Sequence, residues 1–235
     1  MKSRITTQAR ATAEPRLRRK GETPHTSVDH CQGSQLLFTE AAPERVTIAG
    51  AQAGDSGGVR PPTVISAEAI ARRVRELGVE ISAAYEGREP VLVLVLHGAF
   101  VFAADLTRAL TTGHRVESLA LASYEGLESS GEVQVVKDLG YDIAGRDVLI
   151  VEDIVDTGRT AAAALELLES RGPRSIEVVT LLDKPSRRVM EVKPRWVGFE
   201  IENIFVVGYG LDLDGRFRGL PYIADAEAMD LKDVP

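Results

Sequence analysis

The sequence has few of the features that stabilise secreted or membrane proteins. Its 235 residues include one cysteine, Cys31, so no disulfide can form within the chain, and this fits a reducing compartment. The apolar runs are far shorter than the roughly 20 residues that span a bilayer. The formal net charge of −7 argues against a general nucleic-acid binder, which carries an excess of basic residues. These absences predict a cytoplasmic protein with neither a nucleic-acid nor a membrane partner.

Charge and composition divide the chain near residue 63. Residues 1–63 contain nine Lys or Arg and six Asp or Glu, which leaves 19 basic and 29 acidic residues for 64–235. The first part has no persistent apolar period, and Gly and Pro at 54–62 are typical of a flexible linker. We predict a disordered basic and polar extension at 1–63 and a folded domain at 64–235. An organelle transit peptide and a start codon placed too far upstream are the alternatives for the first residues.

Helical and strand patterns alternate through the folded part. Ser66 is a good N-cap, and apolar residues then recur at the spacing of one helical face: Ile70, Val74, Leu77, Ile81 and Tyr85. Buried strands are predicted at 91–96, 115–122, 148–151 and 176–182, and helices at 103–110 and 161–170. A hairpin strand at 133–136, a loop at 123–131 and short strands at 196–199, 205–207 and 222–223 complete the pattern. Residues 46–48 could form a further strand.

This alternation predicts an α/β fold with a mainly parallel central sheet flanked by helices. The short late strands are expected to form a smaller hood beside the carboxyl edge of that sheet. Ligands of an open α/β sheet bind beyond the carboxyl ends of the strands, so the loops at this edge are the place to look for a site.

The segment at 148–160, V-L-I-V-E-D-I-V-D-T-G-R-T, places polar residues at this edge. It is not a P-loop, because no G-x-x-x-x-G-K-[ST] motif is present. Thr157, Thr160 and the backbone around Gly158 can donate to phosphate oxygens, and a helix N-terminus favours an anion. Glu152 and Asp153 suit a sugar diol or Mg²⁺ held through water. An acidic strand end followed by a capped helix, without a ligand, is the structural alternative.

Further motifs follow in a fixed order: L-L-D-K-P at 181–185, V-G-F-E-I at 197–201, F-V-V-G-Y-G-L-D at 205–212 and F-R-G-L-P-Y-I at 217–223. With these motifs the chain from about 64 to 223 resembles the bacterial hypoxanthine(-guanine) phosphoribosyltransferases of type I. The resemblance implies the type I fold, with a hood built from N- and C-terminal segments. It implies a purine-salvage pentosyltransferase that uses Mg²⁺ and phosphoribosyl pyrophosphate (PRPP), converts hypoxanthine or guanine to IMP or GMP plus pyrophosphate, and forms a homodimer or homotetramer.

The resemblance also implies roles for the acids and the phosphate loop. Glu152 and Asp153 would hold the ribose hydroxyls and Mg²⁺. The 5′-phosphate would be bound by five consecutive residues: Asp156, Thr157, Gly158, Arg159 and Thr160. Asp156 would also act as the general acid/base at purine N7, because a carboxylate beside an anionic phosphate has a raised proton affinity.

The purine and pyrophosphate ends of the site are implied by later motifs. Lys184 would donate to purine O6 and so reject adenine, which presents an amine there. Phe205 would stack on the base, and the backbone of Val206 would bind its edge. Asp212 would lie near the base and pyrophosphate as a second Mg²⁺ ligand, and Arg218 would clamp pyrophosphate. Core packing is the structural alternative for Phe205 and Val206, and a solvated charge for Lys184.

The pyrophosphate loop departs from the family pattern. His97 stands where relatives usually have Lys or Arg, and it precedes Gly98. The resemblance implies a cis peptide bond here and backbone N–H groups that face pyrophosphate. Ser123 and Tyr124 would begin a flap that excludes water from a reactive sugar cation.

Two other functions remain open at this point. One is a nucleotide-sensing regulator on the same fold that binds RNA or DNA. The other is a transferase of the same superfamily that acts on xanthine or on a pyrimidine.

Overall fold

The computed structural model describes residues 42–46, 62–123 and 133–228. Seven strands form the main sheet: β1 (Glu44–Val46), β3 (Val91–Leu96), β4 (Arg115–Ser123), β5 (Val133–Lys137), β6 (Asp147–Val155), β7 (Ser175–Asp183) and β8 (Trp196–Ile201). Their order is β1-β8-β7-β6-β3-β4-β5, and every pair is parallel except β4 with β5. The predicted mainly parallel sheet and the hairpin at 133–136 are therefore confirmed.

Three helices cover the two faces of this sheet. They are α1 (Ala67–Ala84), α2 (Phe100–Ala109) and α3 (Arg159–Glu169). Ser66 caps α1 by accepting a hydrogen bond from the Ala69 N–H at 3.2 Å. Apolar residues of α1 and α2 pack with one set of strand side chains, whereas Ala164 and Leu168 of α3 pack with the alternate set. This division follows from the two-residue period of a strand, which sends successive side chains to opposite faces.

The hood is a separate three-stranded antiparallel sheet. It contains β2 (Thr63–Ile65), β9 (Val206–Val207) and β10 (Ile223–Asp225) in the order β2-β10-β9. Its strands come from both ends of the folded domain, as the family resemblance implies. The strand at 196–199, expected in the hood, instead pairs with β7 in the main sheet, where Trp196 and Phe199 are buried.

Several boundaries differ from the prediction. Strand β6 continues through Glu152 and Asp153 to Val155, so both acids lie within the strand and not after it. Helix α2 begins at Phe100, three residues before the predicted start at 103. The prediction began too late because the first turn carries aromatic and β-branched residues, which have low helix propensity. The flap region at 124–132 lies outside the described residues. No helix in the described part of the chain is long and apolar enough to cross a membrane.

The short strand β1 extends the domain beyond its predicted start. It pairs in parallel with the outer edge of β8, and Val46 packs against the main core. Glu44 lies 3.3 Å from Arg72 of α1, and Arg45 lies 3.6 Å from Glu200 of β8. Part of the segment predicted to be a disordered extension is therefore an edge strand of the sheet.

Candidate functional site

A pocket of about 290 Å³ opens between the carboxyl ends of β3 and β6. The strand order reverses here, because the chain after β3 continues outward to β4, whereas the chain after β6 continues in the other direction to β7 and β8. Such a reversal leaves a crevice between two neighbouring strand ends, which is where open α/β sheets bind ligands. The predicted residues that line the pocket are Gly98, Glu152, Asp153, Asp156, Thr157, Gly158, Arg159 and Thr160.

The phosphate loop leaves the N-terminus of α3 open. Gly158 occupies the N-cap position with φ of +83° and has no side chain with which to cap the helix. A Cβ at this position would lie 2.9 Å from the Met190 carbonyl oxygen, so both the dihedral angle and the space require glycine. The first turn of α3 contains no acidic residue. The Arg159 N–H donates to Thr157 Oγ1 at a long 3.5 Å. The next residues of this turn, Thr160 and Ala161, line the pocket at the positive end of the helix dipole, as an anion requires.

Glu152 and Asp153 are adjacent carboxylates in a poorly solvated part of the pocket. Burial, followed by the neighbouring charge of Asp153, raises the pKa of Glu152 well above its ordinary value, and Glu152 Oε1 has no hydrogen-bond partner among the described residues. Burial also raises the pKa of Asp153 to about 6. The described residues contain no group of three His, Cys, Asp or Glu side chains arranged to hold a metal ion. These two acids could therefore supply only some of the ligands that a cation needs.

The pyrophosphate loop passes directly beside Asp153. A Cβ on Gly98 would lie 1.6 Å from Asp153 Oδ2, so only glycine fits there. The Leu96–His97 peptide bond is cis, as the resemblance implies, and His97 is exposed and does not line the pocket. The loop leads at once into the N-terminus of α2, which has neither a side-chain cap nor an acidic first turn.

Asp156 contacts two cations from the segment after β7. Lys184 Nζ lies 3.2 Å from Asp156 Oδ2, and Arg187 Nε lies 3.1 Å from Oδ1. Lys184 is buried, with only 4% of its surface exposed. Burial raises the pKa of Asp156, but the hydrogen bonds from Arg187 and Lys184 lower it by more, so the net pKa is below its ordinary value. From the sequence we expect a phosphate to raise the pKa of Asp156, whereas the protein groups around Asp156 lower it.

Asp212 and Arg218 are brought together but bind each other. Arg218 Nη2 lies 2.8 Å from Asp212 Oδ1, and the Gly215 N–H donates to Asp212 Oδ2 at 2.7 Å. Arg218 Nη1 also donates to the Gly210 carbonyl at 2.7 Å. Both groups influence the pKa of Asp153, which Arg218 lowers and Asp212 raises. They therefore lie at the Asp153 side of the site.

The geometry is that of a phosphate site joined to an acidic site, and comparison with known proteins identifies the family. The model of the phosphoribosyl transferase domain matches residues 64–214. The chain belongs to the phosphoribosyltransferase family. Over 161 residues it is 46% identical to the hypoxanthine-guanine phosphoribosyltransferase of Bacillus subtilis, covering 68% of this chain and 89% of that protein.

Other relatives place this phosphoribosyltransferase domain in the same group. A solved hypoxanthine phosphoribosyltransferase from Staphylococcus aureus is 43% identical with a TM-score of 0.67, covering 69% of this chain and 89% of that one. The bifunctional protein TilS/HprT of Listeria monocytogenes is 46% identical over 161 residues, but the match covers 68% of this chain and only 25% of that protein. The predicted family and fold are confirmed.

Four further predicted residues of the phosphoribosyltransferase site are not among the described residues that line the pocket. Phe205 lies directly before β9 with 45% of its surface exposed, and Val206 is buried in β9 opposite Asp225. Ser123 is the last residue of β4, and Tyr124 lies outside the described residues. The roles of these four residues stay predictions.

Sequence reasoning missed the residues that hold the site residues in place. Arg187 contacts Asp156, and Arg188 Nη1 donates to the Val155 and Asp156 carbonyls at 2.9 and 2.8 Å. The available signal was a pair of arginines three residues after Lys184. A charged pair on a loop gives no indication of its partner, because β6 and β7 are joined only in the folded sheet.

Proposed function

We propose that this protein transfers the 5-phosphoribosyl group from PRPP to N9 of hypoxanthine or guanine. The observation that carries the proposal is the 3.2 Å contact between Lys184 and Asp156 at the edge of the pocket. It places a donor suited to a purine carbonyl next to a carboxylate suited to a purine nitrogen. Asp156 also lines the pocket together with the residues at the N-terminus of α3, which are suited to a phosphate, and this combination supports a 6-oxopurine nucleotide as the ligand.

In the proposed reaction the bond between ribose C1 and the pyrophosphate oxygen breaks, and a bond from C1 to purine N9 forms. Asp156 accepts the proton that the purine loses at N7. The products are IMP or GMP and pyrophosphate. The phosphate loop holds the 5′-phosphate, so the sugar is fixed while its C1 develops positive charge.

Mg²⁺ would be held by Glu152 and Asp153, with Asp212 near the pyrophosphate. The unpartnered Glu152 Oε1 and the raised pKa values of both acids fit a site that binds a cation. Because Mg²⁺ prefers six oxygen ligands, substrate oxygens and water would supply the others. The ion would neutralise the departing pyrophosphate.

Selectivity in this proposal comes from Lys184. Hypoxanthine and guanine present an acceptor at O6, whereas adenine presents an amine that would face the ammonium group. Since Lys184 is buried, such a mismatch leaves donors unpaired and is strongly rejected. Phe205 would stack on the base, and the Val206 backbone would bind its edge.

The remaining parts of the proposal depend on the resemblance. Arg218 and the backbone of His97 and Gly98 would bind pyrophosphate, and Ser123 and Tyr124 would belong to the closing flap. The protein would act in the cytoplasm as a homodimer or homotetramer.

The test is a turnover assay of the full chain with PRPP, Mg²⁺ and a panel of bases. We expect product with hypoxanthine or guanine and at least about 100-fold lower kcat/KM with adenine. Lys184→Met should lose most of this preference while the protein remains folded. A gel-shift assay with structured RNA should show no specific complex.

Turnover with xanthine or a pyrimidine in preference to both oxopurines would assign the protein to another branch of the family. Specific nucleic-acid binding without turnover would favour the regulator. Arg171→Gln is the matched control for Lys184→Met, because Arg171 pairs with Asp138 outside the pocket.

A further inference from the structure

A buried tyrosine connects the hood to helix α2. The Tyr209 hydroxyl donates to Asp105 Oδ2 at 2.5 Å, and Tyr209 is only 6% exposed. Its backbone has φ of +49°, which a tyrosine rarely adopts. Burial, with Asp105 as the hydrogen-bond partner, raises the pKa of Tyr209, so it remains a donor. The hydroxyl thus fixes an unfavourable backbone turn to a helix of the main domain.

This turn presses directly against the pyrophosphate loop. A Cβ on Gly210 would lie 2.1 Å from the Gly98 carbonyl oxygen, so the two backbones are in contact. Gly98 in turn touches Asp153, where a Cβ would overlap Oδ2. A displacement of the turn would therefore shift the loop backbone and the space beside Asp153.

The same turn also sets the position of Arg218. The Gly210 carbonyl accepts a hydrogen bond from Arg218 Nη1, and the Tyr209 N–H donates to the Leu220 carbonyl at 2.8 Å. The guanidinium and the loop backbone are thus both held by residues 208–210. In the proposed function these two groups bind pyrophosphate, while the purine contacts Lys184 on the other side of Asp156.

We propose that Tyr209 and Asp105 are positioning residues that hold the turn at 208–210 against Gly98 and so determine the affinity for the pyrophosphate end of PRPP. This inference rests on the proposed function. Neither residue contacts substrate in this scheme. Their effect should therefore appear in PRPP binding and should leave purine binding nearly unchanged.

The experiment measures KM for PRPP and for hypoxanthine in full-length Tyr209→Phe, Asp105→Ala and the double variant. Loss of a hydrogen bond to a charged group corresponds to about a tenfold rise in the KM for PRPP. The KM for hypoxanthine should change less than about twofold. The double variant should be no worse than Asp105→Ala, because both single variants remove the Tyr209–Asp105 bond, and Asp105→Ala removes in addition only the exposed pair with Arg108.

Two further variants separate positioning from general stability. Asp105→Asn keeps an acceptor oxygen and should restore most of the PRPP affinity. Tyr85→Phe is the matched control, since the buried Tyr85 hydroxyl has no hydrogen-bond partner in the described residues, and its KM values should stay at wild-type levels. Additive effects, equal rises in both KM values, or a lower Tm with unchanged KM would overturn the inference.

A second readout does not depend on turnover. Calorimetry with Mg²⁺ and inorganic pyrophosphate should show about tenfold weaker binding by Tyr209→Phe than by the wild type. Absence of wild-type turnover with any base would refute the proposed function, yet this comparison would still test the positioning pair. Equal pyrophosphate affinity in both proteins, or none in the wild type, would overturn the inference.

Discussion

Asp156 is held ionised by Lys184 and Arg187 before any base is present. A general base must be deprotonated when it meets its substrate, and two cations achieve this more firmly than one. In the proposed function, Lys184 would then move its hydrogen bond to the purine carbonyl while Arg187 still holds the carboxylate. The side chain is thereby oriented as well as charged.

Asp156→Asn removes the proton acceptor and keeps the size of the side chain. We expect kcat to fall at least about 100-fold, since general-base catalysis contributes 10²–10⁴, and the KM for PRPP to change less than about threefold. Steady-state kinetics on both substrates will measure this. Asp138→Asn, at a surface ion pair, is the control, and an undiminished kcat would exclude Asp156 as the base.

Asp153 differs from Asp156 because its pKa is raised in the folded protein, and this shift affects the stability of the fold. Its pKa rises from 3.8 to about 6 in the folded protein, so the folded state binds this proton more tightly than the unfolded state does. Unfolding then releases a proton between about pH 4 and 6, and stability falls as the pH rises through that window. Above about pH 6 the destabilisation is complete.

Asp153→Asn should therefore stabilise the protein at pH 7.5 in EDTA. The expected gain is about 2 kcal/mol, or about 5 °C in Tm for a domain of this size, and it should vanish near pH 4. Thermal unfolding from pH 4 to 8 will measure it. Asp147→Asn should behave oppositely, because hydrogen bonds from Arg174 lower the pKa of Asp147 to about 2. A lower Tm for Asp153→Asn at pH 7.5 would contradict this account.

At the scale of single residues, the sequence predicted chemical types better than partners. The sequence singled out the phosphate loop and both acids from their local pattern and Lys184 from the family resemblance, and their roles stay predictions. The contact of Tyr209 with Asp105 could not be found, since it joins segments 104 residues apart whose proximity depends on the whole fold. The pairing of Asp212 with Arg218 is local, across the turn at 213–216, but nothing in the spacing of the two residues indicates that they bind each other.

Among the elements, the buried strands were the most predictable. The apolar runs at 91–96 and 176–182 correspond closely to β3 and β7, because strands covered on both faces need continuous apolar sequence. Strand β6 was predicted too short because Glu152 and Asp153 interrupt that pattern. A functional strand end can carry charges that propensity alone would assign to a loop.

The junction of β3 with α2 permits no side chain at position 98. Gly98→Ala should place a methyl group against Asp153, displace the loop, and reduce kcat/KM for PRPP by at least about 100-fold, as misplacement of about 1 Å can. Gly113→Ala is the matched control, since its Cβ would meet only Glu89 Cγ at 4.0 Å. Kinetics and pyrophosphate binding will compare the two. Wild-type activity of Gly98→Ala would show that the loop tolerates displacement.

For the whole molecule, β1 is the outermost strand at one edge of the main sheet and covers residues 199–201 of β8. An uncovered edge strand presents unpaired N–H and C=O groups that can pair with another chain. The strand lies before residue 64, where the family match begins, and the only sequence signal for it was the short β-branched stretch V-T-I at 46–48. A three-residue strand is too short for an apolar period to be recognised.

Deletion of residues 1–46 should uncover the edge of β8, whereas deletion of residues 1–41 should leave it covered. We expect the molar mass of the longer deletion to rise with protein concentration more than that of the shorter deletion. Size-exclusion chromatography with light scattering will measure both. The kcat of both should match the full chain, because β1 does not line the pocket. Equal masses at all concentrations would show that β1 does not protect this edge.

Strands β2 and β10, which lie at the two ends of the part of the chain from 62 to 228, are neighbours. Ile65 of β2 lies opposite Ile223 of β10, and the Asp225 N–H donates to the Pro62 carbonyl at 3.0 Å. The chain therefore begins and ends this part of the molecule in the same three-stranded sheet, whereas β1 lies earlier in the chain and in the main sheet. A unit whose bounding strands are neighbours can be joined into a longer chain with little disturbance. This arrangement suits the use of such a unit as one module of a fusion, such as the Listeria relative of which a matching segment forms a quarter.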